Sequence, residues 1–239
     1  MPIVSAVPWL KRVESMTANE VAFGTAALQY NLASPAKLYL WGMTASDTCV
    51  SCGLRATESH ILSNCPARLN SAKKGRHDSI LMCIASWLRK HLRDATVWAD
   101  IEDFRGAPPP AGWTKQRPDI QVARTFRKGG AMTNTLWVIE LTVPSEANFA
   151  AAELRKSAKY EALITEYRSA YDSVKFTHIG IGTRGVILQD TDDEVRAGMR
   201  LCGAARTVGL AKLWEECSLA ALRGSIVAWC AARQDVVEV

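Results

Sequence analysis

Two apolar runs in the second half of the chain have the alternation and the β-branched content of buried strands. They cover residues 118–126 and 136–143, and the polar connection between them contains Gly129 and Gly130. This pattern predicts two paired strands. Each run also includes one acidic residue: Asp119 opens the first, and Glu140 interrupts the second where the periodicity favours Val or Ile.

Helical periodicity and turn-forming residues predict the remaining elements. We expect helices over residues 15–31 (with Ser15 or Thr17 as N-cap), from Ser34-Pro35 through Trp41, from an Asp78 cap through His91, over 146–171, and over most of 192–233 with a break near Gly209. We expect further strands over residues 96–101 and, bent at its glycines, over 174–188, with a loop over 104–116.

Together these elements predict an α/β protein in four parts. The expected parts are N-terminal helices (1–46), a segment rich in cysteine and histidine (47–66), a core with the order helix, three strands, helix, strand (67–190), and a helical C-terminal extension (191–239).

Composition and charge narrow the class of protein. With 48% hydrophobic and 22% charged residues, the chain should bury a normal core. The net charge of +5 fits a nucleic-acid partner without requiring one. The sequence contains no 18-residue apolar run, and residues 1–16 do not have the pattern of a secretion signal, so we expect no membrane span and no secretion. Seven cysteines, an odd number, favour a reducing, intracellular compartment.

The spacing of Cys49, Cys52, His60 and Cys65 predicts a tetrahedral zinc site. Two thiolates at knuckle spacing are followed by a histidine and a third thiolate, and Gly53 eases the tight turn after Cys52. Four ligands leave no open position, so we expect the zinc to be structural. The alternative is that these cysteines are ordinary core residues.

Asp119 and Glu140 suggest a second kind of metal site. A carboxylate in a buried strand is costly unless a cation or hydrogen bonds compensate it. Two carboxylates on neighbouring strands can hold Mg²⁺ or Mn²⁺, and such an ion polarises a phosphate and activates a water. The ordinary alternatives are that Asp119 is a turn residue and that Glu140 is exposed at a strand edge.

A lysine completes this pattern on the predicted helix that follows. At 100° per residue, an apolar stripe formed by Phe149, Tyr160, Leu163 and Tyr167 also contains Lys156, so we expect Lys156 to face the sheet. Lys159 lies about 80° away, at the edge of the stripe, and is the alternative catalytic lysine. Glu153 either joins the metal ligands or pairs with Lys156.

The order of these motifs resembles the C-terminal region of R2-type non-LTR retrotransposons, which carries a CCHC zinc knuckle and a restriction-like endonuclease of the PD-(D/E)xK type. The resemblance covers about residues 30–190 and depends on the knuckle, Arg76-His77-Asp78, Arg117-Pro118-Asp119, the Glu140–Pro144 segment and the Arg155–Tyr160 segment. Two features differ from the family: the 20 residues between Asp119 and Glu140 predict an extended hairpin, and no polymerase precedes the knuckle.

The resemblance implies a Mg²⁺-dependent endonuclease that nicks target DNA and provides the primer for reverse transcription. It implies Asp119, Glu140 and a lysine of the Arg155–Tyr160 segment as catalytic residues, with Tyr160 beside them. It further implies a nuclear or nucleo-cytoplasmic location, a reverse transcriptase on the same parent polyprotein, and RNA as a further partner.

Two alternatives to an active nuclease stay open. One is a catalytically inactive nucleic-acid-binding fragment or relic that keeps the fold and the knuckle, and the other is a zinc-stabilised protein-interaction domain. Weaker candidates for nucleic-acid contacts are Arg76 and His77, which we expect just before a helix, and Arg184, which follows a glycine-bent strand.

Overall fold

The computed structural model describes residues 5–68, 72–104, 108–112, 116–204 and 209–234. Its strands are β1 (Ser5–Ala6), β2 (Thr96–Ala99), β3 (Ile120–Lys128), β4 (Ala131–Thr142), β5 (Ser173–Gly180) and β6 (Ile187–Leu188). Its α-helices are α1 (Ala18–Leu28), α2 (Pro35–Leu40), α3 (Ala72–His91), α4 (Phe149–Ala170), α5 (Gln189–Leu201) and α6 (Ala211–Gln234). Short 3-10 helices cover Pro8–Ser15, Pro66–Arg68, Glu102–Phe104 and Glu146–Asn148, and a π-helical turn covers His60–Asn64.

A four-stranded mixed sheet with the order β2-β3-β4-β5 forms the centre of the protein. The β2–β3 and β3–β4 pairs are antiparallel, and β4 and β5 are parallel. The predicted pairing of the two acid-bearing strands is therefore confirmed. The hairpin between them is longer than the apolar runs, because the ladder continues beyond those runs to the Lys128–Ala131 pair.

The two faces of the sheet bury different cores. On one face, Leu136 and Val138 of β4 pack against Tyr160, Leu163, Ile164 and Tyr167 of α4. The opposite face contributes Trp137, Ile139 and Leu141 to a larger core that contains residues of α3, α5 and α6. Successive residues of a strand point to opposite faces, so the even-numbered positions of β4, including Glu140, lie on the α4 side.

The predicted order of the central elements is confirmed. Helix α3 precedes β2, β3 and β4, and α4 then connects β4 to the parallel strand β5. Helix α6 packs along α3, and buried residues of both α5 and α6 belong to the larger core. The C-terminal helices are therefore part of the packing that supports the sheet.

Three predicted helix starts can be compared with the structure. Thr17 caps α1 in a capping box with Glu20, and Ser34 caps α2, as expected. The expectation that Asp78 caps the next helix is wrong, because α3 begins at Ala72 and Asp78 lies inside it. Residues 69–71, which precede that start, lie outside the described residues.

The run predicted as one bent strand over 174–188 is divided. Strand β5 ends at Gly180, and a turn leads to β6, which pairs with β1 in a separate two-stranded sheet. Gly182 lies in this turn, where an added Cβ would meet the Glu146 side chain.

The C-terminal region contains two helices rather than one interrupted helix. Helix α5 begins at Gln189, earlier than predicted, and α6 begins at Ala211, close to the break expected near Gly209. Residues 205–208 lie outside the described part. Within the described ranges, no helix has both the length and the apolar character that crossing a membrane requires.

Candidate functional site

The register of the central hairpin brings the two predicted acids to neighbouring positions. Ile120 of β3 pairs with Ile139 of β4, so the next position along the ladder sets Asp119 beside Glu140. Glu140 is only 2% exposed, whereas Asp119 is partly accessible. The alternative that Glu140 is exposed at a strand edge is therefore wrong, since β4 lies between β3 and β5.

Lys156 is the lysine that contacts Glu140. Its Nζ forms an ion pair and hydrogen bond with Oε1 of Glu140. The helical-stripe prediction for Lys156 is thus confirmed. Glu153, in contrast, is exposed on α4.

The second oxygen of Glu140, Oε2, is buried and has no hydrogen-bond partner among the described residues. Burial raises the pKa of Glu140, and the charge of Asp119 raises it further, while Lys156 acts in the opposite direction. An unpartnered buried carboxylate oxygen is costly and calls for a cation or another donor.

Asp119 is held in place by two donors on its Oδ2 atom. The backbone N–H of Leu141 donates to it at 2.7 Å, and Nε2 of His77 lies 3.3 Å away. The other ring nitrogen of His77, Nδ1, lies 3.2 Å from Oδ1 of Asp78. Burial alone would lower the pKa of His77, but the bonds and charges of Asp119 and Asp78 outweigh it and raise the pKa to about 9.

Tyr160 and Lys159 lie at the edge of this group. The Tyr160 hydroxyl donates to the carbonyl of Arg117 at 2.7 Å, and Nζ of Lys159 lies 2.9 Å from that hydroxyl oxygen. Burial raises the pKa of Tyr160, and Glu140 raises it further. Tyr160 thus connects α4 to the backbone just before Asp119. Lys159 contacts the Tyr160 hydroxyl rather than Glu140.

The expectation that Arg76 and Arg184 contact nucleic acid does not fit their burial. Arg76 is 3% exposed and donates to the Leu62 carbonyl and the Ser225 hydroxyl, both at 2.9 Å. Arg184 is 4% exposed and forms ion pairs with Glu58 and Glu146. Both guanidinium groups connect parts of the protein to one another.

His77, expected from its motif only as a weak nucleic-acid contact, lies in the candidate site beside Asp119, and this contact was missed from the sequence. The signal was available: once α3 is extended by a turn and a half before Asp78, His77 falls three residues before the fully buried Ile80 and seven before Ile84. It therefore belongs to the helix face that turns toward the sheet.

Another group missed from sequence is the pair of His178 and Thr142, next to Glu140. His178 is level with Glu140 in the β4–β5 ladder, and its Nε2 lies 2.7 Å from the Thr142 hydroxyl. Burial lowers the pKa of His178 to about 4, and the charges of Lys156 and Arg155 add to that effect.

The four predicted zinc ligands converge. The ligand atoms of Cys49, Cys52, His60 and Cys65 all lie within 4.8 Å of one another, so they could hold a metal ion such as zinc. Sγ of Cys52 lies 3.3 Å from Nε2 of His60, and Sγ of Cys49 lies 3.9 Å from that of Cys65. Gly53 has a φ of 73°, which agrees with its predicted role in the tight turn.

The thiols of this cluster affect one another's pKa. Burial would raise the pKa of Cys49, but hydrogen bonds from His60 and from the backbone of Ser51 lower it to about 6. The backbone of Leu54 would lower the pKa of Cys52, but burial and the hydrogen bonds with Cys49 and Cys65 raise it. Thiolates are the form that binds zinc. We refer to residues 47–66 as the knuckle segment.

Buried cations attach the knuckle segment to the rest of the protein. Lys73, only 8% exposed, donates from Nζ to the carbonyl of Cys65 at 2.9 Å, and Arg76 donates to Leu62 two residues after His60. Glu58 of the knuckle segment pairs with Arg184 at 2.6 Å. Helix α3 thus contacts the knuckle segment through Lys73 and Arg76. The residue after Arg76 is His77, which contacts Asp119.

A polar cleft of about 410 Å³ lies between the knuckle segment and the sheet. Its walls include Ser63 and Asn64 of the knuckle segment, Thr142 at the end of β4, and Asn148 and Arg155 around the start of α4. Arg155 is exposed and directly precedes Lys156.

Comparison with protein-family models finds no match for this sequence, and comparison with curated proteins finds none either.

Proposed function

We propose that this chain is a divalent-metal-dependent endonuclease module that cleaves a phosphodiester bond in DNA. The observation that carries the proposal is the buried Glu140, whose Oε2 has no partner among the described residues while Asp119 lies beside it and Lys156 faces it. A protein that needed only a stable core would gain from an apolar residue at this position of a central strand.

The residues present fit a hard divalent cation. Mg²⁺ and Mn²⁺ prefer carboxylate oxygens and keep several waters as ligands. Two acidic side chains next to a partly open surface are therefore a suitable set of protein ligands for these ions. Asp119 and Glu140 would hold such an ion. A bound cation of this kind would polarise the phosphate and lower the pKa of a coordinated water.

The remaining groups would position substrate and charge. Lys156 supplies a positive charge on the face where Glu140 lies, which suits the developing negative charge of a phosphoryl transition state. Tyr160 holds the Arg117 carbonyl and so fixes the backbone that leads into Asp119. Lys159, at the edge of the site, stays the alternative lysine.

Zinc in the Cys49, Cys52, His60 and Cys65 cluster would have a structural role, because four protein ligands leave no coordination position for substrate. The hydrogen bonds that Lys73 donates to the Cys65 carbonyl and Arg76 donates to the Leu62 carbonyl would then stabilise the start of the helix that carries His77.

The order of central elements and the motif sequence support a PD-(D/E)xK endonuclease of retrotransposon type as the specific class. On that proposal the natural substrate is a DNA target, and RNA, a reverse transcriptase on the same polyprotein and a nuclear location follow from the resemblance. The polar cleft beside Arg155 is a suitable path for the nucleic-acid backbone.

A plasmid-nicking assay with Mg²⁺ tests the proposal. Asp119→Ala should reduce nicking by at least about 100-fold, since it removes a carboxylate that would bind the metal directly and even partners behind such ligands are worth 10- to 100-fold. Asp193→Ala, which removes an exposed carboxylate on α5, is the matched control and should nick like the wild type. Equal nicking by wild type and Asp119→Ala would exclude the proposal.

One observation favours a second function, nucleic-acid binding without cleavage. Lys156 already pairs with Oε1 of Glu140, and a cation must compete with that charge. Under this alternative, DNA binding would fall with added salt, Arg155→Ala would reduce the salt slope by about one, and neither Mg²⁺ nor Mn²⁺ would support cleavage.

A further inference from the structure

Four charged side chains form a continuous polar chain from the surface of α3 to the candidate site. Lys74 pairs with Oδ2 of Asp78, and Oδ1 of Asp78 lies 3.2 Å from Nδ1 of His77. Nε2 of the same imidazole lies 3.3 Å from Oδ2 of Asp119. Lys74, His77 and Asp78 lie within about one turn of α3. Asp119 lies 42 positions along the chain from His77.

This arrangement fixes the His77 ring at both nitrogens. A ring held on one side by a carboxylate can rotate little, so its other nitrogen is aimed at a defined point. That point is Oδ2 of Asp119, which also accepts the backbone N–H of Leu141 at 2.7 Å. Two donors on the same oxygen determine the plane of the carboxylate. Within the described part of the chain, Oδ1 of Asp119 takes no part in these bonds.

His77 and Asp119 are both partly buried, as expected for side chains that hold each other in a fixed orientation. The side chain of His77 is 28% exposed and that of Asp119 is 16% exposed, so solvent competes only in part for their hydrogen bond. A histidine on a solvated helix face would not require a carboxylate neighbour on each side.

We propose that His77 is a positioning residue that orients the Asp119 carboxylate for a divalent cation, with Asp78 holding the imidazole in place. The proposal rests on the proposed function, because it assigns His77 to the same acidic site. Groups that hydrogen-bond to a metal-binding carboxylate fix the orientation of that carboxylate, and their loss weakens metal affinity.

Mn²⁺ binding to the full, zinc-loaded chain provides the test. Titration calorimetry and the electron paramagnetic resonance signal of free Mn²⁺ would give the affinity of wild type, His77→Ala, His77→Gln and Asp78→Ala. We expect His77→Ala to bind Mn²⁺ about 10-fold more weakly or worse. His77→Gln keeps an N–H donor toward Asp119 and should stay within about threefold of the wild type. The Mn²⁺ affinity of Asp78→Ala should lie between those of His77→Ala and His77→Gln.

Nicking rates at increasing Mg²⁺ separate positioning from a general loss of stability. His77→Ala should raise the half-saturating Mg²⁺ concentration about 10-fold, while the rate at saturating Mg²⁺ stays within a few-fold of the wild type. A purely structural role would lower the rate at all Mg²⁺ concentrations alike. If His77→Ala does not fold, Asp78→Ala, which leaves the imidazole present, provides the same comparison.

His91→Ala is the matched control, because it removes a histidine from the other end of α3, about 21 Å along the helix axis. It should bind Mn²⁺ like the wild type. Unchanged Mn²⁺ affinity and Mg²⁺ dependence in both His77→Ala and Asp78→Ala would overturn the role of His77 alone. Wild type that binds Mn²⁺ no more tightly than Asp119→Ala would overturn the acidic metal site itself, and the positioning role with it.

Discussion

At the scale of single residues, the charge of Lys156 determines how Glu140 is tolerated in a buried strand. The Glu140 side chain is 3% exposed and that of Lys156 21% exposed, so the pair is only partly screened by solvent. Burial and the charge of Asp119 raise the pKa of Glu140. A carboxyl group with a raised pKa in the folded state costs stability above that pKa, and the cost disappears when pH falls below the ordinary value.

Lys156→Met should therefore destabilise the fold by about 2 kcal/mol at pH 8, because an uncompensated carboxylate remains buried. The loss should be smaller at pH 5, where protonation of Glu140 relieves it. Urea unfolding followed by circular dichroism at both pH values measures the difference.

The matched control for this substitution is Lys175→Met, which breaks the pair with the exposed Glu194 and should cost less than about 1 kcal/mol at either pH. Restoration of stability in the double variant Lys156→Met with Glu140→Gln would support the explanation. An equal loss at pH 5 and pH 8 would contradict it.

At the scale of elements, the knuckle segment has little regular structure and depends on its four ligands. Apart from the turn at His60–Asn64, it is held by turns, by the small buried cluster around Cys49, Ala56 and Cys65, and by the cations of α3. Three thiolates held so close together, without a cation, would repel one another. A bound metal would therefore contribute directly to the stability of this segment.

The protein as purified should contain about one zinc per chain by mass spectrometry of metals, and a strong chelator should remove it and lower the melting temperature. Hydrogen exchange should then increase in the knuckle segment and at the start of α3, where Lys73 and Arg76 lose their carbonyl partners, but much less in α4.

Cys65→Ser should reproduce the effect of the chelator, whereas Cys230→Ser, which changes an exposed cysteine outside the cluster, should keep the zinc. A wild type that contains no zinc and is unaffected by the chelator would refute a structural metal.

At the scale of the whole molecule, Arg184 connects three distant parts of the chain. It pairs with Glu58 of the knuckle segment and with Glu146 at the start of α4, and its Nε donates to the carbonyl of Ala27 at 2.7 Å. Its guanidinium carbon also lies 4.0 Å from the centre of the Tyr30 ring. The N-terminal helical region, the knuckle segment and the start of α4 thus share one buried cation.

Arg184→Met should cost about 3–5 kcal/mol in unfolding free energy, because it leaves two glutamates whose side chains are only 11% exposed without their partner. Arg223→Met is a suitable control: Arg223 pairs with Glu20, its side chain is 51% exposed, and the loss should be below about 1 kcal/mol. Guanidinium unfolding curves give both values, and similar losses in the two variants would contradict a connecting role.

Local sequence was sufficient for several features of the fold and of the site. These features depend on residues within a few turns or strand positions of one another. They are the apolar alternation of β3 and β4, the caps at Thr17 and Ser34, and the helical stripe that turns Lys156 toward the sheet. The spacing of the knuckle ligands is equally local, and it predicted a cluster that could hold a metal.

Only the tertiary structure decided which charges are buried together. In the sequence, nothing distinguishes Arg76 and Arg184 from exposed arginines. In the structure they are buried, and they bind partners from distant segments, such as Ser225 and Glu58. His77 meets Asp119 because α3 begins earlier than its motif suggests and lies against the sheet. Hydrophobic periodicity reports which face of an element is buried, but the partner that compensates a buried charge is set by contacts between elements far apart in the chain.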